Sequence, residues 1–301
     1  MKILITGATG LIGQELVCLF LDKGHAVNYL TTSQRKIISK PNCFGYYWNP
    51  NENTIDENCL INVDVIVHLA GASIAKKWTK EYKQEIIESR ITSAALLFKT
   101  LKNNPHQVQQ IISASGTAIY PESDSVSYDE TTKSTDNSFL ATVVKKWEES
   151  VDVFQKLGIK VCKLRTGVVF SNNGGALPEM VKPIKMGFGA TMGNGKQIQS
   201  WIHCKDLVNL YYFAFENQLE GVFNAVTPHP VSNAELTKTI AKTIHKPLFL
   251  PNIPQFVMKL ILGEMSFLLF SSKNVNSEKI QKLGFQFSFP TSKEALDDLY
   301  K

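Results

Sequence analysis

Three glycines carry the first chemistry in this chain. Gly7, Gly10 and Gly13 stand at equal spacing in Ile5-Thr6-Gly7-Ala8-Thr9-Gly10-Leu11-Ile12-Gly13, directly after the apolar run Lys2–Thr6 and at the head of an amphipathic segment, Leu11–Lys23. In that setting Gly7 permits a tight turn, Gly10 lets backbone approach a diphosphate, and Gly13 lets the helix pack closely on the strand. Unpaired N–H groups at the helix start then face phosphate oxygens. The expected contacts come from Gly7, Thr9, Gly10, Leu11, Ile12 and Gly13. A simple tight turn is the competing reading of the glycines alone. The loop after the second strand, Thr31-Thr32-Ser33-Gln34-Arg35-Lys36, holds no carboxylate. Dinucleotide sites that prefer NAD place Asp or Glu there for the ribose 2′-OH. Hydroxyls with a guanidinium suit a 2′-phosphate instead, which a carboxylate would repel. The expected cofactor is therefore NADP(H), with NAD(H) as the alternative, held by Thr31, Thr32, Ser33 and Arg35. Taken alone, Arg35 and Lys36 read equally well as a solvated charge pair.

These loops need a scaffold that presents strand ends to a ligand. Strand patterns fall at Lys2–Thr6, Ala26–Thr31, Phe44–Trp48, Asp64–Leu69, Gln109–Ala114, Ile159–Leu164 and Gly221–Ala225, with helical patterns at Leu11–Lys23, Thr79–Lys102, Asn137–Lys156 and Lys205–Asn217. That alternation predicts βαβ units and a parallel sheet. The runs Asp64–Leu69 and Gln109–Ala114 are almost wholly apolar, as strands covered on both faces must be. The expected class is α/β, a doubly wound parallel-sheet Rossmann fold with a small, mainly helical C-terminal lobe. Residues 1–170 form the dinucleotide unit, completed by about 201–226. Residues 171–200 and 227–301 form the lobe, with Gly174-Gly175 and Gly193-Asn194-Gly195 read as mouth loops or as plain turns.

The GxxGxxG spacing is the form short-chain dehydrogenases carry, and the chain resembles that superfamily along its whole length. Val65-Ile66-Val67-His68-Leu69-Ala70-Gly71 resembles its "HLAG" segment, and Ile111-Ile112-Ser113-Ala114-Ser115-Gly116-Thr117-Ala118-Ile119-Tyr120 its "SSxxVYG" segment. Leu164-Arg165-Thr166-Gly167-Val168-Val169, Ser200-Trp201-Ile202-His203-Cys204-Lys205-Asp206 and Gly263-Glu264-Met265 look like the YfcH-type epimerase-family proteins, atypical extended members ending in a small C-terminal domain of unassigned function. The resemblance implies cofactor contacts from Leu69, Ala70, Gly71, Ser113, Arg165 and Val169, and from Glu85 and Arg90 on the following helix. Glu85 and Arg90 stand about 140° apart around a helix, so they flank a ligand from different sides or form a surface pair; Arg90 is the preferred contact. Extended members pair through helices like Thr79–Lys102 and Asn137–Lys156, which implies a homodimer by analogy.

Hydride transfer in that superfamily uses Tyr-x-x-x-Lys: the phenol, with an ordinary pKa of about 10, exchanges a proton, and the lysine lowers that pKa. Here Phe139 or Leu140 takes the tyrosine position and Val143 or Val144 the lysine position. None of the nine tyrosines has Lys at the fourth position after it, so the usual pair is absent. Lys145, one residue out of register, is rotated by about 100° and reads as solvated with Lys146. Ser115 fits the superfamily's catalytic serine, and Tyr120 is the nearest phenol, with a packing role as its alternative. His68 reads as a satisfied core residue. Asp206 reads as a cap or tie at the start of its helix.

Composition narrows the partners. The net charge of +5 is dispersed, so nucleic acid is not expected. Cys18, Cys43, Cys59, Cys162 and Cys204 form no CxxC pair and no grouping with metal-ligand spacing, so the thiols read as reduced and no metal is expected. The opening run lacks a secretory pattern, and Ile253–Phe270 is interrupted by Gln255, Lys259 and Glu264, which makes it a buried or partner-facing helix rather than a membrane span. A cytoplasmic protein with a small-molecule substrate and no membrane partner is expected. Two functions remain open: an NADP(H)-dependent oxidoreductase or epimerase-like enzyme with a non-standard proton donor, and a non-catalytic NADP(H)-binding sensor or regulator.

Overall fold

Seven apolar runs become seven parallel strands. In the computed structural model, which describes residues 1–301, they are β1 (Lys2–Thr6), β2 (Ala26–Thr31), β3 (Cys43–Asn49), β4 (Val65–His68), β5 (Gln110–Gly116), β6 (Lys160–Thr166) and β7 (Gly221–Ala225). Their order is β7-β6-β5-β4-β1-β2-β3, with every neighbouring pair parallel. Two short antiparallel pieces, Ser39–Lys40 and Thr54–Ile55, extend β3. The order in which strands are added reverses beside β1, which opens a crevice at the carboxyl ends of β1 and β4.

Period-two side-chain alternation decides which residue enters which core. Ile3 and Ile5 of β1 enter one core with Leu16 and Phe20 of α1 (Leu11–Asp22), together with Leu207 and Tyr211. Leu4 enters the other core with Leu97 and Leu101 of α2 (Lys80–Asn103) and Trp147 and Val151 of α3 (Phe139–Asp152). Thr79 and Ser138 start α2 and α3 by accepting the backbone N–H groups of Tyr82 and Ala141. A 3₁₀ turn, Val153–Leu157, replaces the expected end of the third helix, and Gly158 closes it at φ 73°.

A third core joins the C-terminal lobe to the sheet domain. Phe170 and Trp201 stack at 4.5 Å between centroids, surrounded by Leu177 and Val181 of α4 (Ala176–Lys185), Leu236 and Ile240 of α6 (Asn233–Thr243), and Leu296 of the terminal helix Ser292–Tyr300. Between α4 and α6, α5 (Cys204–Glu216) packs on the sheet. His203 caps α5, its Nδ1 accepting from the Lys205 N–H at 3.1 Å. Asp206 is therefore not the cap: its two oxygens accept from the Ser288 and Phe289 N–H groups, both at 2.9 Å, and fasten the terminal segment to the sheet domain.

The run Ile253–Phe270 is neither buried nor one continuous helix, so of its two readings the buried one falls. It breaks into α7 (Gln255–Leu262), a 3₁₀ turn at Gly263–Ser266 and a short turn of helix at Phe267–Phe270, and no residue of α7 is buried. Pro254 before it and Gly263 after it, at φ 59°, cut the helix to two turns on the lobe's rim. No helix is long and apolar enough to cross a membrane.

Candidate functional site

The glycine loop has the geometry of a diphosphate cradle. Gly7 takes φ 69°, and the Gly10 N–H donates to the Gly7 carbonyl at 2.9 Å. A side chain on Gly13 would place its Cβ 2.2 Å from that same oxygen, so the helix packs against the loop's own backbone. Gly10 caps α1 without a side chain. The amides of Leu11, Ile12 and Gly13 thus lack a covering group, as an anion site requires. The Thr6 hydroxyl fixes the loop to β4 by accepting from the Leu69 and Ala70 N–H groups at 3.0 and 3.1 Å. Its own proton goes to His68 Nδ1 at 2.9 Å, leaving His68 neutral with hydrogen on Nε2, facing Ser93 Oγ at 3.4 Å. Burial, with Arg90 nearby, pushes the His68 pKa down to about 4. It is a satisfied core histidine.

From this loop a cleft runs along the strand ends. Of the residues expected at the cofactor, Gly7, Thr9, Thr31, Thr32, Ala70, Gly71 and Glu85 line it. Ser33 and Arg35 lie outside. The Tyr29 hydroxyl donates to the Lys36 carbonyl at 2.8 Å and accepts from the Ile38 N–H at 2.7 Å, pinning the turn Gln34–Lys36 with Arg35 exposed to solvent. Arg90 also stands behind the cleft. It donates to the Ile86 and Ala72 carbonyls at 2.8 and 3.2 Å, lies over the Trp147 ring at 4.7 Å, and supports Gly71, where a Cβ would meet its guanidinium carbon at 3.1 Å. Glu85 is thus the member of the pair that faces the cleft. Trp48, Asn49, Pro50 and Asn51 also line the wall. They follow directly from strand order, because the carboxyl end of β3 must lie beside that of β2, yet no sequence motif marked them. Leu11 and Val169 lie together farther along, against Gly175.

The two expected catalytic residues and Arg165 meet in one buried network. The Arg165 guanidinium donates through Nε to Glu148 Oε1 at 2.8 Å and through Nη2 to Oε2 at 2.9 Å. Its Nη1 donates to the Tyr120 hydroxyl at 2.9 Å, which donates to Asn224 Oδ1 at 2.8 Å. Ser115 Oγ donates to Glu148 Oε1 at 2.6 Å. Ser115, Tyr120, Glu148 and Arg165 are all buried, and Ser113 is fully buried with its hydroxyl on the Ala114 carbonyl at 3.0 Å. Burial pushes the Tyr120 pKa up despite the adjacent guanidinium, which moves it away from the range useful to a general acid at neutral pH. Burial raises the Glu148 pKa, but the bonds and charge of Arg165 outweigh that and hold it below its ordinary value. The geometry describes a structural ion pair that ties α3 to β5, β6 and β7. Sequence reasoning missed Glu148, although a carboxylate within the apolar stripe Leu140, Val144, Trp147 and Val151 signals a buried cation partner.

At the positions of the absent Tyr-Lys pair the structure has hydrocarbon. Leu140, Val143 and Val144 are buried, and the Phe139 ring packs edge-on against Trp78 at 5.2 Å with the Lys83 ammonium above it. Lys145 is not solvated as expected; it is half-buried and donates to the Asp136 carbonyl at 3.2 Å. Asp136 itself receives buried Lys273 of the lobe at 2.6 Å, and Lys273 also donates to the Tyr120 carbonyl at 2.7 Å. Lys83 pairs with Glu264, joining α2 to the lobe.

Comparison with known proteins agrees with this fold. The chain is 36% identical over 301 residues to an epimerase family protein of Staphylococcus aureus strain MRSA252, covering 98% of each, and 36% identical over 298 residues to one of Staphylococcus saprophyticus, again covering 98% of each. The human epimerase family protein SDR39U1, solved with NADPH, matches at a TM-score of 0.85 and 28% identity over 100% of this chain and 99% of that one. A Bacillus cereus UDP-glucuronic acid 4-epimerase, at 18% identity and a TM-score of 0.80, shares the fold while covering 100% and 98% of the two chains. Residues 253–299 match a domain of unknown function, DUF1731. With residues 3–225 matching the NAD dependent epimerase/dehydratase family, the chain belongs to that family.

Proposed function

We propose that this protein binds NADP(H) in the cleft beside the glycine loop and acts as an oxidoreductase or epimerase-like protein on a small molecule, without Tyr-x-x-x-Lys chemistry. One observation carries the cofactor choice: the wall formed by Thr31 and Thr32 offers hydroxyls and no carboxylate where a ribose 2′-phosphate would lie. The human relative solved with NADPH supports the same choice. Gly7, Thr9 and the amides of residues 11–13 would hold the diphosphate, and Ala70 and Gly71 would back the nucleotide. The bound dinucleotide supplies hydride chemistry; the chain's residues orient it and exclude water.

A second reading is favoured by a specific observation. Ser115 and Tyr120 spend their hydroxyls on Glu148 and Asn224, so neither presents a proton to a substrate. That suits a protein whose cofactor occupancy, rather than turnover, is the signal. Calorimetry with NADPH and NADH, followed by NADPH oxidation against carbonyl compounds including nucleotide sugars, separates the two. Turnover supports the enzyme; tight binding without turnover over the panel supports the sensor. No heat with either dinucleotide removes both.

A further inference from the structure

We infer that the rim of the C-terminal lobe docks on an anionic lipid surface. In α7, Phe256, Leu260 and Ile261 are 66%, 83% and 69% exposed, and the helix buries no residue at all. Phe249 at 78% and Phe188 at 62% extend the same apolar rim from two adjoining loops. Backbone bonds hold those loops and the approach to α7 together. The Ile253 N–H donates to the Thr191 carbonyl and the Gly193 N–H to the Ile253 carbonyl, both at 2.8 Å. Gly189 lies against Leu248 and Ile184, which brings the carboxyl ends of α4 and α6 to the same rim. Large apolar side chains left in water in one place mark a contact surface.

Charge selects the occupant. The stretches 180–205 and 236–263 contain no Asp or Glu. They carry exposed Lys182, Lys185, Lys242, Lys246 and Lys259, of which Lys185 lies over the Tyr300 ring. A second copy would bring the same positive charge face to face. Phospholipid headgroups of negative charge over hydrocarbon complement both features: phenyl and leucyl side chains enter the interface and ammonium groups meet the phosphates. Each lysine near such a surface strengthens attachment, and added salt weakens it. The inference concerns attachment to a surface, since no helix is long and apolar enough to cross a membrane. The inference stands apart from the proposed cofactor site, since none of these residues lines that cleft.

The test is cosedimentation of the full chain with vesicles of phosphatidylcholine alone and with about a third phosphatidylglycerol. Binding to the anionic vesicles at least tenfold tighter than to the neutral ones, weakened by 0.5 M salt, is expected. The double variant Phe249→Ser/Leu260→Ser and the charge variant Lys242→Glu/Lys246→Glu each lose that binding by tenfold or more. Both alter exposed side chains, and an unchanged thermal melt and NADPH affinity show the fold intact. Three results overturn the inference: no binding to anionic vesicles at low salt, binding unaffected by both variants, or a dimer in sedimentation analysis that the apolar variant dissolves, which would assign the rim to a second copy.

Discussion

Arg165 grips Glu148 with two parallel hydrogen bonds, at 2.8 and 2.9 Å, where both side chains are about nine-tenths withdrawn from solvent. The pair links the sixth strand to the third helix and receives Ser115 and Tyr120 as further members. It makes the region expected to hold a proton donor into a rigid strut.

Removing Arg165 leaves the buried Glu148 carboxylate with only the Lys163 ammonium, 4.0 Å away, to compensate it. Arg165→Met is expected to cost about 3–5 kcal/mol, read as a lowered midpoint in urea denaturation. Adding Glu148→Leu removes the orphaned carboxylate and should recover much of the loss. A single variant as stable as the wild type would show the pair to be solvated in practice.

Tyr120 gives a sharper contrast. Tyr120→Phe strips the Arg165 Nη1 donor and Asn224 Oδ1 acceptor of their shared hydroxyl, costing about 1–3 kcal/mol of stability. The NADPH dissociation constant should stay within about threefold. A variant of unchanged stability that loses an established turnover would instead make the phenol catalytic.

His68 contributes a pH dependence with a definite sign. The unfolded imidazole titrates near 6.5, the folded one at about 4. Between those values the unfolded chain binds more protons, so stability rises with pH through that window by roughly 1.4 kcal/mol per unit and levels off above it. His68→Asn can still take the Thr6 hydroxyl and should flatten this contribution. Denaturation at pH 4.5, 5.5, 6.5 and 7.5 measures the difference in slope; parallel curves for the two proteins would refute the assignment.

The cofactor site is tested at its two ends. Gly13→Ala puts a methyl 2.2 Å from the Gly7 carbonyl oxygen and should weaken NADPH at least 100-fold, about 2.7 kcal/mol by calorimetry. Thr32→Asp places a carboxylate at the end of the second strand and should shift the NADPH-to-NADH affinity ratio at least tenfold towards NADH. Arg35→Ala, on the exposed turn, should change NADPH affinity less than threefold. An Arg35 effect as large as that of Thr32 would mean the turn closes over the ligand.

Local physics determined much of this protein. The spacing of Gly7, Gly10 and Gly13, the apolar runs and the helical periodicities fixed the strands, the parallel sheet and the crevice, because each depends on backbone conformation and side-chain alternation within a short window. The absence of a Tyr-Lys pair is equally a matter of register along one helix. Tertiary structure decided what the side chains do there. Glu148 and Arg165 lie seventeen residues apart on different elements, and only the packing of α3 on the sheet makes them partners for Ser115 and Tyr120. Likewise Tyr29 pins the turn that carries exposed Arg35, and Glu85 lines the cleft while Arg90 of the same helix lies behind Gly71. Such outcomes rest on long-range contacts and on the cost of burying unpaired charge, which no local pattern encodes.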